Sequence, residues 1–276
     1  MGWGRLAMIQ ALRHYLLAVQ FFTRLPVTGR LAAWVGYSPA LLNAASAHFP
    51  GVGWPVAAVA CAVYAPLWWA LGSGGFAPLA AAALATATTL LATGGFHEDG
   101  LADTADGLGG GYTRERVLEI MKDSRIGAFG AMALVLALLT KLALLAQLGS
   151  TSLAPALLAL LGAHVLSRWW PLTVMRCLPY AGDGASSKAK PLASHTSAAA
   201  VAAGALWCVP ALLWLGAALG WAALASAVVV SGLAAQWMHW RLAQRLQGFT
   251  GDGLGAVQQL GELGFYLGLA LALAQR

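Results

Sequence analysis

Seven stretches of this 276-residue chain are apolar over lengths that suit a lipid bilayer rather than a soluble core. They run over approximately 51–71, 76–95, 126–149, 152–173, 197–218, 220–240 and 253–274. A helix rises about 1.5 Å per residue, so about 20 apolar residues cross the roughly 30 Å hydrocarbon layer. Backbone inside that layer must satisfy its own hydrogen bonds, which selects helices as the spanning element. The pattern predicts an all-α, polytopic integral membrane bundle of about seven transmembrane helices. Composition agrees, with 59% hydrophobic and only 9% charged residues, against about 25% charged in soluble domains. An ordinary soluble domain and a disordered chain are both excluded. Over residues 1–24 the apolar run is broken by Arg5, Arg13, His14 and Arg24, which predicts an amphipathic helix lying in the membrane interface. A signal peptide is not expected, because Arg13 falls where its apolar region should be.

Charge gives the chain a sidedness. Taken alternately, the loops up to residue 50, over 96–125, over 174–196 and over 241–252 share one face and hold 13 of the 16 Lys and Arg residues. Positive residues stay on the cytoplasmic side, so the expected location is a bacterial cytoplasmic (inner) membrane with these loops facing the cytoplasm. Lys141 and Arg168 fall inside spans and are expected to snorkel towards an interface. The net charge of +6 reflects scarce acid rather than a dense basic stripe, so no nucleic-acid partner is expected. Cys61, Cys177 and Cys208 are widely spaced, with no CxxC pair, which argues against disulfides and zinc.

The acids carry the functional signal. Of ten acidic residues, seven (Glu98, Asp99, Asp103, Asp106, Glu115, Glu119 and Asp123) lie between positions 98 and 123. Asp99, Asp103 and Asp106 follow an i, i+4, i+7 spacing, which keeps them within a stripe about 60° wide on a helix. Three carboxylates on one face repel unless a cation lies between them. Oxygen-only donors select a hard ion, Mg²⁺ or Mn²⁺, over zinc; the alternative is a solvated helix face. His97-Glu98 does not begin an HExxH site, since residue 101 is Leu. Glycine follows Asp99, Asp106, Asp183 and Asp252 and permits close backbone approach to a ligand. In the next segment, Lys122, Asp123 and Arg125 stand at the entry to a span, where basic groups could meet phosphate oxygens. The residues around Arg114 to Glu119 read equally well as i,i+4 salt bridges. A distant patch places Asp252, Gly255, Gln259 and Glu262 on a stripe about 80° wide, with Glu262 about 15 Å below the start of its span. An ionisable group at that depth is a functional candidate. His164 with Arg168, and His239 with Arg241, read as interfacial anchors.

Carboxylates on a membrane helix, cations beside them and glycines for close approach suggest divalent-metal phosphoryl or nucleotidyl transfer at the cytoplasmic surface. Residues 1–276 are therefore expected to form a single membrane-embedded catalytic domain, with 96–125 as its acidic active-site segment.

The stretch Gly94-Gly95-Phe96-His97-Glu98-Asp99-Gly100-Leu101-Ala102-Asp103-Thr104-Ala105-Asp106-Gly107, followed by the block from Glu119 through Lys122, Asp123 and Arg125 to Gly130, resembles the cobalamin synthase family, the adenosylcobinamide-GDP ribazoletransferases. Phe22 to Pro26, Phe49 to Gly53 and Thr250 to Glu262 extend the likeness along the whole chain. The resemblance implies transfer onto α-ribazole, or its 5′-phosphate, from adenosylcobinamide-GDP with release of GMP, and Mg²⁺ (or Mn²⁺) as cofactor. Carried onto this chain, it implies Glu98, Asp99, Asp103, Asp106 and Asp252 as metal ligands. Arg24, Lys122, Arg125, Gln259 and Glu262 are the implied substrate contacts, and Asp106, Asp123 or His97 the proton acceptor. The lipid bilayer is an expected partner; further cobalamin-assembly enzymes or a second copy are compatible with it. The segment Leu178 to Gly184 lacks the arginine that the family pattern places after Tyr180-Ala181. A looser likeness is to CDP-alcohol phosphotransferases, whose D-x-x-D-G-x-x-A-R opening is not reproduced. An ion-coupled transporter is the other alternative, but the chain has no internal repeat and its acids gather at one surface.

Overall fold

The computed structural model describes residues 3–72, 74–182 and 196–274, and among them there are helices and connecting turns but no strand. In chain order the helices are α1 (Trp3–Phe22), α2 (Gly29–Val35), α3 (Pro39–Ala45), α4 (Phe49–Leu71), α5 (Ala77–Thr93), α6 (Phe96–Gly110), α7 (Arg114–Ile120), α8 (Ala128–Gly149), α9 (Leu153–Leu166), α10 (Trp170–Cys177), α11 (Ala198–Leu219), α12 (Trp221–Leu246) and α13 (Gly251–Leu273). Asp183, Lys188 and Lys190 of the 174–196 loop, and the terminal Arg276, lie outside the described residues.

Among the described residues six helical segments are long and apolar enough to cross a membrane: Pro39–Leu71, Leu153–Cys177, α8, α11, α12 and α13. A seventh is counted if α5 and α6, bent by 89° at their junction, make one broken span. The protein is a polytopic helical membrane protein, as the apolar stretches predict. The expected boundaries shift in two places. The 152–173 stretch breaks after Leu166 and resumes as α10, while the 220–240 stretch continues to Leu246, which puts Arg241 and Arg245 on the last turns of α12.

α9 and α13 are the interior helices. From Pro155 to Leu166 every residue of α9 except Leu157 is buried, and most of α13 is buried too. Leu136, Leu206, Leu233 and Trp237, on the surrounding helices, point outward, as lipid-facing residues do. α12 and α13 approach through small residues. Ser231 Oγ donates to the Gly261 carbonyl and Ser226 Oγ to the Gly268 carbonyl, each at 2.7 Å. A Cβ on Gly264 would stand 2.8 Å from the Val230 carbonyl oxygen, the close backbone contact on which membrane helix pairs rely.

α1 is not apolar enough for the spanning set. Leu17, Ala18, Val19 and Phe22 bury one side of it against Val35, Leu42, Phe49 and Val52, while Leu6, Met8, Ile9 and Leu12 stay exposed. Arg13 Nε donates to the Val35 carbonyl at 3.1 Å and ties α1 to α2.

Candidate functional site

The site is organised by a sharp turn and a helix crossing. Gly94 and Gly95 have φ of 72° and 68°, a left-handed conformation that favours glycine, and they swing the chain from α5 into α6. Arg24 lies over this corner: its backbone N–H donates to the Ala92 carbonyl at 2.7 Å, and a Cβ on Gly94 would stand 2.6 Å from Arg24 Nε. α6 starts with Glu98 and Asp99 in its first turn, where the helix dipole favours negative charge.

α6 crosses the first turns of α13. A Cβ on Gly100 would stand 2.7 Å from the Asp252 carbonyl oxygen, and one on Gly255 would stand 3.2 Å from the His97 carbonyl oxygen. These two glycines allow the approach. Thr250 caps α13 by accepting from Gly253 N–H at 3.0 Å, which fixes the turn carrying Asp252. Asp99 is exposed, and Asp103 and Asp252 are partly buried. Asp103 lies near enough to Asp252, Asp99 and Asp106 for all three charges to act on it. The sequence stripe is therefore real, and the second patch joins it through Asp252. Among the described residues no three His, Cys, Asp or Glu side chains converge on a metal position as they stand. The donor chemistry of Asp99, Asp103 and Asp252, oxygen-only and like-charged, suits a hard divalent cation.

The remaining expected site residues have other neighbours. Asp106 caps α8: Gly127 N–H donates to Oδ2 at 2.7 Å and Gly130 N–H to Oδ1 at 2.8 Å. Both glycines press against this carboxylate, which gives the Gly127-to-Gly130 motif a structural reason and makes Asp106 the anchor for the start of α8. Asp123 is engaged by Arg125, whose Nε and Nη2 donate to its two oxygens at 3.0 and 2.6 Å. That hydrogen bonding to Arg125 holds the Asp123 carboxyl down at about 2. Lys122 is exposed beside them. Arg114 donates to the carbonyls of Leu246 (2.8 Å) and Ala181 (3.4 Å), so it ties loops together, and Arg116 pairs with Glu119 at 2.7 Å.

His97 is 2% exposed, its ring stacked on Phe49, and its Nε2 is buried without a partner. It lines a cavity of about 40 Å³ together with Phe22, Phe49, Phe96, Met175 and Phe249.

Glu98, Gln259 and Glu262 face inward and join a network of buried polar groups. Glu262 is 1% exposed and accepts from Lys141 Nζ (2.8 Å), Tyr266 Oη (3.1 Å) and Gln258 Nε2 (2.8 Å). Gln258 Nε2 also reaches Ser167 Oγ at 2.8 Å. Gln259 Nε2 donates to Glu98 Oε1 (3.0 Å) and to Gln258 Oε1 (2.9 Å). Lys141 Nζ stands 4.0 Å from Glu98. Arg168 Nη1 donates to the His164 carbonyl at 2.7 Å, and His164 Nδ1 is 3.8 Å from Glu262. Lys141 and Arg168 do not snorkel; they are 3% and 2% exposed, with Lys141 held by Glu262 and Arg168 by the His164 carbonyl. The formal charges of Glu98, Glu262, Lys141 and Arg168 cancel, the condition under which buried ions are tolerated. The i, i+4, i+8 spacing of Gln258, Glu262 and Tyr266 was the sequence signal for this network.

The model of the family described as cobalamin-5-phosphate synthase matches residues 14–270. A protein of Albidiferax ferrireducens named adenosylcobinamide-GDP ribazoletransferase is 55% identical, covering 96% of this chain and all of its own length. Proteins of Leptothrix cholodnii and Vibrio cholerae with the same name are 48% and 43% identical, each match covering 95% of this chain and 96% and 94% of the relative. No solved structure matches. A match that runs through the corner, the crossing and the interior network leaves one reading of the chain's descent: it belongs to the cobalamin-5-phosphate synthase family.

Proposed function

We propose that this enzyme joins α-ribazole, or its 5′-phosphate, to adenosylcobinamide-GDP. The ribose hydroxyl oxygen forms a bond to the phosphorus attached to cobinamide, the bond from that phosphorus to the GMP oxygen breaks, and the hydroxyl proton passes to a base. The observation that carries the reading is the meeting of Asp99 and Asp103 on α6 with Asp252 on α13, in a chain whose relatives bear that transferase name.

Asp99, Asp103 and Asp252 would hold Mg²⁺ or Mn²⁺, which supplies neutralising charge on the diphosphate when bound. Arg24 at the α5–α6 corner and the exposed Lys122 and Arg125 contact the outer phosphate oxygens. Asp106 keeps α8 in register with α6, and the interior network keeps α6 in register with α13. The excess of Lys and Arg in the site-bearing loops supports a site on the cytoplasmic side of the inner membrane, with α1 in the interface.

The test is chain purified in nanodiscs, supplied with adenosylcobinamide-GDP, α-ribazole and Mg²⁺, with EDTA as control. Equal amounts of GMP and corrinoid product that vanish with EDTA are expected. Folded protein that makes neither would sink the reading, and a CDP-alcohol substrate would be tried next.

A further inference from the structure

A groove of about 410 Å³ opens on the bundle's outer side between α8 and α12, floored by α6 and α13. Its walls include Leu136 and Ala137 of α8, Trp237 and Met238 of α12, Leu101 of α6 and Leu263 of α13. The volume is that of a ligand pocket, and Leu136 and Trp237 at its mouth are 64% and 53% exposed.

Among the described residues one cation lines it. Arg241 Nε is buried without a hydrogen-bond partner, and the guanidinium carbon lies 5.9 Å from the centroid of the Trp237 ring. Among the described residues no carboxylate forms an ion pair with it. The other cations inside the bundle have acceptors: Lys141 pairs with Glu262, Arg168 Nη1 donates to the His164 carbonyl, and Arg245 donates to the carbonyls of Leu108 and Gly111. Arg241 lacks the anion that a guanidinium in an apolar wall requires.

Depth identifies the anion. Trp221, exposed at the opposite end of α12, is 20 residues away, a rise of about 30 Å along the helix. That rise is about the thickness of the hydrocarbon layer, so Arg241 stands at headgroup level while the groove extends among the tails. We propose that this groove binds an anionic phospholipid of the leaflet beside the charged loops, with an acyl chain against Ala137 and Met238 and the phosphate on Arg241. The guanidinium fork suits phosphate oxygens.

The test is native mass spectrometry of the full chain in neutral detergent, titrated with dioleoyl phosphatidylglycerol or dioleoyl phosphatidylcholine. Wild type is expected to hold the glycerol lipid about fivefold more tightly, the effect of one basic residue near a membrane surface. Arg241→Gln should abolish the preference, Arg241→Lys should retain most of it, and Arg30→Gln, an exposed cation outside the groove, should leave it unchanged. Ala137→Trp, which fills the acyl path, should weaken both lipids. Equal binding by wild type, a preference that survives Arg241→Gln, or unchanged retention in Ala137→Trp would overturn the proposal. Tighter capture of inorganic phosphate than of the lipid would also overturn it, by assigning Arg241 to a soluble anion.

Discussion

Replacing Lys141 with Met removes the ammonium at 2.8 Å from Glu262 and 4.0 Å from Glu98, while the near-equal size of Met keeps the packing. Two interior carboxylates then face one cation, Arg168. Breaking a buried pair from one side costs about 3–5 kcal/mol, which corresponds to a fall in melting temperature of about 6–20 °C on the scale for large domains. Lys141→Met/Glu262→Gln restores the balance, leaving Glu98 with Arg168, and the single amide oxygen that replaces the Glu262 carboxylate can still accept from Tyr266, while Gln258 keeps Ser167 as its acceptor. The double variant is therefore expected to be more stable than Lys141→Met alone, with a coupling of about 2 kcal/mol. Unfolding by SDS titration in mixed micelles, read by tryptophan fluorescence, gives all four corners of the cycle. A loss under about 1 kcal/mol in Lys141→Met, or additive effects in the double variant, would refute the network as an ion-paired unit.

Three other outcomes are expected. Asp103→Asn should insert normally but lose on the order of 10²-fold in metal-dependent GMP release, by analogy with removal of one charge-stabilising group, and should bind Mn²⁺ more weakly in an electron paramagnetic resonance titration; unchanged affinity removes Asp103 from the site. Asp106→Ala leaves the amides of Gly127 and Gly130 without their acceptor, so stability should fall by about 1–2 kcal/mol, as for a lost helix cap, and hydrogen exchange should accelerate at the start of α8. If exchange there is unchanged, the capping role is wrong. Gly264→Leu forces a side chain against the Val230 carbonyl and should cost about 1–3 kcal/mol, the usual cost of overpacking, while Leu271→Ala on the exposed side of the same helix should cost far less.

The membrane architecture was legible in the sequence because apolar length is a one-dimensional signal. The carboxylate stripe was legible for a similar reason, since i, i+4, i+7 spacing puts Asp99, Asp103 and Asp106 on one face wherever α6 lies. Which of those acids is open was not legible. Asp106 is occupied by amides more than 20 residues away, a pairing that only the fold creates. Lys141 and Arg168 read as snorkelling residues because nothing local shows that α13 delivers Glu262 between them. Gln258 stands one turn before Glu262, but its other partner, Ser167, lies 91 residues away and was hidden in the same manner. The short helices α2 and α3 were missed because seven residues each carry little periodicity, and Arg13 marked only an interfacial helix in the sequence although it also fastens α1 to α2.

The interior ion network also constrains the order in which the chain can be assembled. Lys141 on α8 and Arg168 just beyond α9 are synthesised about 100 residues before Glu262 on α13. During that interval Glu98 is the only acid of the quartet already made. A Lys or Arg at the centre of an isolated membrane helix costs about 2.5–3.5 kcal/mol to insert, so α8 and the α9–α10 span gain from remaining beside α6, or within the insertion machinery, until α13 arrives. The last span is thus the one that closes the interior, and a chain truncated before Glu262 would be left with unmatched positive charge in the bilayer.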